Sequence, residues 1–290
     1  MTDPVVRITG AQRVFRRPRT SLFTAPGQVT ALAGVDLTVR RGERFGIVGE
    51  SGSGKTTLLR ALAGLDRLTA GTVEVDGRDV TACSAADRMH LTRRLQMVFQ
   101  DPMGSLDPRM RVGAIVAEPL RVHGGDGGTA ERVRAALARV GLDPDAVDRY
   151  PHQFSGGQRQ RISLARAVVG GPAILLADEA VSALDVTVRA QVLDLLAELV
   201  RERSLTLVFV SHDLGVVRRL CERVAVMRAG EIVETGATGD VLDAPTHPYT
   251  AELVAAVPSV RGALEAARER ERAAAEAAAG GADTAFPPPD

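Results

Sequence analysis

Apolar and polar residues alternate with a period of two through much of residues 5–48, as in Val35-Asp36-Leu37-Thr38-Val39, and this alternation predicts half-buried strands. Arg41-Gly42-Glu43 supplies a turn signal, and the polar, proline-bearing, arginine-rich stretch between Phe15 and Val29 is expected to be an exposed loop. Arg44-Phe45-Gly46-Ile47-Val48 predicts a short buried strand, and residues 57–63 a helix with one apolar face. Gly71-Thr72-Val73-Glu74-Val75-Asp76-Gly77 reads as a hairpin strand and Leu95-Gln96-Met97-Val98-Phe99 as a buried one. Continuous apolar runs return at Ala173-Ile174-Leu175-Leu176-Ala177 and Leu205-Thr206-Leu207-Val208-Phe209-Val210, separated by helical periodicity over residues 188–203. Strands apolar on both faces and separated by helices predict an α/β fold with a parallel sheet covered on two sides. Residues 101–170 change to helical spacing with loops such as Gly124-Gly125-Asp126-Gly127-Gly128, which predicts a helical lobe inserted into the core. Residues 261–290 are rich in Ala, Glu and Arg and end in glycines and prolines, as expected of a solvated helix followed by a disordered tail.

At 290 residues the chain can bury one large core, or a core with a lobe. Its formal net charge is zero, so bulk electrostatics offers nothing to nucleic acid or an anionic surface, and no nucleic-acid partner is expected. Cys83 and Cys221 lie far apart without metal-ligand spacing, which suits two ordinary thiols in a reducing compartment. No apolar run approaches the roughly 20 residues that cross a bilayer. Met1-Thr2-Asp3-Pro4 lacks a signal-peptide pattern. The expectation is a cytosolic chain that reaches a membrane only through a partner.

Of 36 basic residues one alone is lysine, Lys55, and all the others are arginine. Lysine carries a compact ammonium where arginine carries a wide planar fork, so a narrow, phosphate-filled pocket would retain the first and reject the second. The neighbours Gly49-Glu50-Ser51-Gly52-Ser53-Gly54-Lys55-Thr56-Thr57 match G-x-x-x-x-G-K-[ST]. In that pattern glycines let successive N–H groups face a polyphosphate, the lysine reaches the terminal phosphates and the first threonine offers its hydroxyl to magnesium. The predicted strand before it and helix after it complete an anion site at a helix N-terminus.

Asp178 and Glu179 close an apolar strand, where ligands of open α/β sheets gather. An aspartate there can hold magnesium and an adjacent glutamate can orient or deprotonate a water. Ser155-Gly156-Gly157-Gln158 precedes a predicted helix over residues 159–169 and exposes backbone donors at a second helix N-terminus. Two phosphate-seeking helix ends in one chain suggest two different nucleotides.

The order of the phosphate loop, Gln100, Phe154-Ser155-Gly156-Gly157-Gln158, Asp178-Glu179, Ser182-Ala183-Leu184-Asp185 and Ser211-His212-Asp213 resembles the nucleotide-binding subunit of an ABC transporter over residues 5–260. The resemblance implies a P-loop NTPase core with a mainly parallel sheet, an antiparallel β subdomain and an inserted helical lobe. It places the ATP-binding domain at residues 1–260, with the lobe at about 101–170 and a C-terminal extension at about 235–260. It implies a head-to-tail dimer around two ATP molecules with Mg²⁺, each held by the phosphate loop of one subunit and the Ser155-Gly156-Gly157-Gln158 segment of the other. Carried over by motif, Thr56, Gln100 and Asp178 would hold magnesium, and Gln100 would also sense the γ-phosphate and link core to lobe. His212 would contact the γ-phosphate, Asp185 would report across the dimer and Glu179 would be the catalytic base. Phe15 stands where the family stacks an aromatic ring on adenine; a place in the core is its alternative, and Phe23 competes for the role. Ala180 stands where the family usually has proline.

Val98-Phe99-Gln100-Asp101-Pro102, Tyr150-Pro151-His152-Gln153-Phe154 and His247-Pro248-Tyr249-Thr250 narrow the resemblance to the dipeptide, oligopeptide and nickel importers. That group implies a second ATPase chain, usually a different one with an identical copy as the alternative, two membrane-spanning permease subunits and an extracellular solute-binding protein, with this chain peripheral at the cytoplasmic face of the membrane. Peptide is the expected solute and nickel the alternative. A soluble ATPase of the same superfamily would share the nucleotide motifs but usually carries two cassettes, long coiled coils or zinc cysteines. A P-loop kinase would have no use for Ser155-Gly156-Gly157-Gln158 or His212.

Overall fold

The structure, a computed structural model, describes residues 4–16, 27–81, 84–124, 128–182 and 184–256. The loop between Phe15 and Val29 for the most part, Phe23, Cys83, Ala183 and the tail 261–290 lie outside the described residues. The alternating N-terminal stretch forms a long antiparallel ribbon, β1 (Pro4–Arg16) against β2 (Gln28–Arg40). From Val35 to Arg40 the burial of β2 alternates residue by residue, as its sequence predicts. Next come β3 (Arg44–Val48), α1 (Lys55–Leu62), β4 (Ala70–Val75), β5 (Arg78–Asp79), α2 (Ala85–Arg94) and β6 (Leu95–Val98). The lobe holds α3 (Pro102–Ser105), α4 (Val112–Val122), α5 (Thr129–Arg139), two 3₁₀ turns (Pro144–Asp148 and Pro151–Gln153) and α6 (Gly156–Val169). The chain continues through β7 (Ile174–Asp178), α7 (Val186–Glu202), β8 (Thr206–Ser211), α8 (Leu214–Leu220), β9 (Arg223–Arg228), β10 (Glu231–Ala237), α9 (Thr238–Asp243) and α10 (Pro248–Ala255).

Two sheets result. One is four-stranded and antiparallel, in the order β2-β1-β4-β5; the other is six-stranded, in the order β10-β9-β3-β8-β7-β6, and parallel except for the β10–β9 hairpin. The central strands β3, β7 and β8 are almost wholly buried because each face of the sheet lies in a different core. Ile47, Leu176, Val208 and Met227 turn toward α1 and the antiparallel sheet, whereas Val48, Leu175, Phe209 and Val226 turn toward the helices. α1 is thereby clamped between two sheets, with Leu58, Leu59 and Leu62 fully buried. This fixes the direction of its N-terminus, which points at the phosphate loop.

The lobe is an insertion in sequence but has no core of its own. α6 packs on α4 and α5 on one side and on β6 and α7 on the other, so Ile162, Leu164, Ala165 and Val168 join lobe and sheet in one apolar cluster. The half-buried Arg166 donates to the Ser105 carbonyl at 2.5 Å and holds α3 onto α6. Residue 235, near the expected start of the C-terminal extension, falls inside β10, so the extension grows directly out of the sheet. Glu234 in β10 accepts hydrogen bonds from the Thr246 N–H and hydroxyl at 2.8 Å and from the His247 N–H at 3.2 Å, which anchors the start of α10. Desolvation pushes the Glu234 carboxyl up, but the nearby Thr250 hydroxyl together with these bonds outweighs it and holds its pKa down at about 2.

Candidate functional site

The heads of β3, β7 and β8 converge on an open cleft of about 330 Å³ whose walls include Thr30, Ala31, Gly52, Lys55, Gln100 and Glu179. Its floor is the phosphate loop. Gly54 has φ 104° and Gly49 φ 149°, conformations that a side chain would strain. Space forbids one as well: a Cβ on Gly54 would run into the Ala31 carbonyl of β2, and one on Gly49 into the Met227 carbonyl of β9. α1 starts at Lys55, two residues earlier than its periodicity suggests, and no side chain caps it and no acid occupies its first turn. Its terminal N–H groups and positive dipole end are thus left for an anion from outside the chain.

Lys55 is 5% exposed and donates to the Gly49 carbonyl at 2.8 Å, the Glu50 carbonyl at 2.6 Å and Ser53 Oγ at 3.3 Å. Burial pushes its ammonium below the ordinary lysine pKa, while Glu179, Asp178 and Glu50 draw it partly back. Thr56 Oγ1 donates to Asp178 Oδ1 at 3.2 Å, which sets a hydroxyl and a carboxylate side by side. Burial pushes the Asp178 carboxyl above its ordinary value, and the nearby Glu179 adds to this, against the opposing pull of Thr56, Lys55 and Arg60. A buried carboxylate and a hydroxyl beside a phosphate-binding loop form the hard oxygen set that suits Mg²⁺.

Glu179 follows β7 in a left-handed conformation, φ 44°, at a cost of about 1–2 kcal/mol for a residue with a side chain. Its N–H donates to the Val210 carbonyl at 3.0 Å and its carbonyl accepts from the Ser182 N–H and hydroxyl, so the strained turn is held from both sides. The turn aims the carboxylate into the cleft. Gln100 Nε2 donates to Glu179 Oε2 at 3.0 Å, and His212 Nδ1 lies 3.3 Å from Oε1. His212 itself is exposed and sits on a rigid corner. The Asp213 N–H donates to Ser211 Oγ at 3.0 Å, and its carboxylate caps α8 by accepting from the N–H groups of Gly215 and Val216.

Gln100, Asp178–Glu179 and His212, from three separate segments, therefore meet the loop at one place. Ser155-Gly156-Gly157-Gln158 and Asp185 do not line this cleft. The helix that Ser155 caps begins at Gly156 rather than at residue 159. Ser155 Oγ accepts from the Gln158 N–H at 3.3 Å while Gln158 Oε1 accepts from the Ser155 N–H at 2.9 Å, and the N–H groups of Gly156 and Gly157 take no part in this box. Gly157 also has a reason inside the protomer, because a Cβ there would strike Val188 on α7. Asp185 caps α7 through the Val188 N–H at 2.9 Å.

Phe15 is 38% exposed, paired across the ribbon with Val29 of the cleft wall and covered by the Arg13 guanidinium at 4.5 Å, so it is not a core residue. Two further contributions, from β2 and from α10, were not assigned to the site from the sequence. Thr30 and Ala31 reach the cleft because β2 lies over the loop, and Tyr249 Oη accepts from the Glu50 N–H at 3.1 Å. Only the His247-Pro248-Tyr249-Thr250 motif hinted at the second.

A family model described as ABC transporter matches residues 32–182, and one described as the C-terminal region of oligopeptide/dipeptide transporters matches residues 233–282. The glutathione import ATP-binding protein GsiA of Salmonella paratyphi A is 47% identical over 260 residues, covering 88% of this chain and 41% of that protein. The oligopeptide transport ATP-binding protein OppF of Salmonella typhimurium is 46% identical over 236 residues, covering 80% of this chain and 71% of that one. The chain spans about two-fifths of the length of the glutathione import relatives it matches. A solved dimeric ATP-binding cassette, in a post-hydrolysis state bound to ADP and Pi, superposes with a TM-score of 0.71 at 29% identity over 80% of this chain and 98% of that one.

Proposed function

Because the chain belongs to the ABC transporter family, we propose that it hydrolyses ATP to drive the import of peptides through separate membrane subunits. The observation that carries the hydrolysis is the convergence of Lys55, Thr56–Asp178 and Gln100–Glu179–His212 on one cleft. The loop N–H groups and Lys55 hold the β- and γ-phosphates. Glu179 orients a water in line with the γ-phosphoryl and takes its proton, and Gln100 and His212 hold the carboxylate in place until the phosphates arrive. Magnesium, held by Thr56, Gln100 and Asp178, would neutralise charge on the phosphate oxygens. Phe15, on the rim beside Val29, is the described aromatic available to adenine.

Ser155, Gly156, Gly157 and Gln158 serve the nucleotide of a second ATPase subunit, and Asp185 reports across that interface. Their position outside the protomer's own cleft supports this. Gly156 offers a clean test, since a Cβ there meets no atom within 4 Å, whereas any substitution at Gly157 disturbs α7 as well. Gly156→Asp, which sets a carboxylate against the phosphates, is expected to leave ATP binding by the isolated protomer intact and to lower hydrolysis by the assembled pair about 100-fold or more, the scale of one lost phosphate-stabilising donor. Loss of binding in the protomer would overturn the assignment in trans.

No helix among the described residues is long and apolar enough to cross a membrane. In the proposed assembly the chain works at the cytoplasmic face through two permease subunits, which receive solute from an extracellular binding protein. An open, mainly apolar groove of about 250 Å³ runs between core and lobe past Leu65, Met97, Phe99 and Val122 and supports this docking. Leu65 and Val122 are more than half exposed, and Phe99 adjoins Gln100, which links the groove to the cleft. The match of residues 233–282 to the oligopeptide/dipeptide C-terminal region supports peptide as solute. In vesicles carrying the cognate membrane subunits, binding protein loaded with a short peptide is expected to raise ATP turnover several-fold. Stimulation by nickel in place of peptide would overturn the solute, and no stimulation by either would overturn transport.

A further inference from the structure

Tyr249 is 2% exposed, yet its hydroxyl is spent on the backbone of the phosphate loop, 199 residues away in sequence. The residue is fixed at both its ring and its backbone. The Arg228 guanidinium lies 4.7 Å from its centroid, and its own N–H donates to His247 Nδ1 at 3.1 Å. Glu234 fixes Thr246 and His247 just before it. The hydroxyl therefore stands as a stationary acceptor.

What it holds is Glu50, the residue on which Lys55 rests. The Glu50 N–H points out of the loop to Tyr249 at 3.1 Å, while its carbonyl points in and accepts from Lys55 Nζ at 2.6 Å and from the Ser53 N–H at 3.2 Å. Met227, one residue before Arg228, presses its carbonyl against Gly49 closely enough to exclude a Cβ. The start of the loop is thus gripped from outside by β9 and α10.

We propose that Tyr249 is a positioning residue for nucleotide binding: its hydroxyl fixes the Glu50 N–H, and through that peptide the seat of Lys55, so that the C-terminal segment sets the loop's affinity for phosphates. The proposal rests on the reading of the loop as an ATP site. It gives the C-terminal motif a task inside this chain, independent of the solute carried.

Tyr249→Phe removes the hydroxyl and keeps the ring under Arg228. In the full-length protein, Kd and KM for MgATP are expected to rise about fivefold, the worth of one net hydrogen bond, with kcat changed less than twofold. Because Lys55 is the chain's single side-chain amine, its seating can also be read directly. Acetylation of Lys55 by an N-hydroxysuccinimide ester, followed by mass spectrometry without nucleotide, should run faster in Y249F than in wild type. Val254→Ala is the control: it loosens the packing of α10 without touching the hydroxyl, so it should lower Tm and leave KM and labelling unchanged. Wild-type KM and labelling in Y249F would overturn the proposal, as would equal rises in KM and labelling in V254A. Failure of the wild-type protein to bind MgATP would instead overturn the reading of the loop itself, so the two failures are distinguishable.

Discussion

Glu179→Gln is expected to slow ATP hydrolysis by roughly 10²-fold or more, a loss of about 2.7 kcal/mol of transition-state stabilisation. The amide keeps the size of the carboxylate and can still meet Gln100, 3.0 Å away, but it cannot take a proton from water. Binding should survive, because in the proposed mechanism the groups that grip phosphate and magnesium are the loop amides, Lys55, Thr56, Gln100 and Asp178. An ATP-bound dimer should then accumulate and appear as a rise in mass when the variant is run with ATP and its partner chain. Single-turnover kinetics together with light scattering check both halves. Hydrolysis at the wild-type rate would pass the base role to Asp178 or His212. A slow variant that forms no dimer would keep the base and remove the sandwich.

Lys55→Arg preserves the charge and is nevertheless expected to weaken ATP binding about 10- to 100-fold, the loss of one charge-assisted hydrogen bond at about 1.5–3 kcal/mol. The reason is space. Lys55 is 5% exposed, and its ammonium sits within 3.3 Å of the Gly49 and Glu50 carbonyls and Ser53 Oγ, a seat built by the loop itself. A guanidinium is wider, cannot turn about a single nitrogen, and would have to displace the loop that presents the phosphate donors. Isothermal titration of MgATP into K55R measures the effect, with Tm as a check that the fold persists. Wild-type affinity in K55R would mean that this position was left as lysine by chance in an arginine-rich chain.

Much of this was legible in the sequence because it is local. The run Gly49-Glu50-Ser51-Gly52-Ser53-Gly54-Lys55-Thr56 dictates its own loop, and short apolar runs such as residues 174–177 and 207–210, set between helical segments, read as strands covered on both faces. Boundaries were less secure, as where α6 begins at Gly156, because a capping box replaces apolar periodicity in the first turn. Three decisions belonged to the tertiary structure. Gly54 and Gly157 owe part of their identity to Ala31 and Val188, close approaches that only the packing of β2 and α7 creates. The order of the six-stranded sheet brings Gln100, Glu179 and His212 together from segments 79 and 33 residues apart, and the left-handed backbone at Glu179 turns its carboxylate to meet them. The third is the contact from Tyr249 to Glu50, 199 residues apart, which no local pattern encodes because it exists only once α10 docks on the loop.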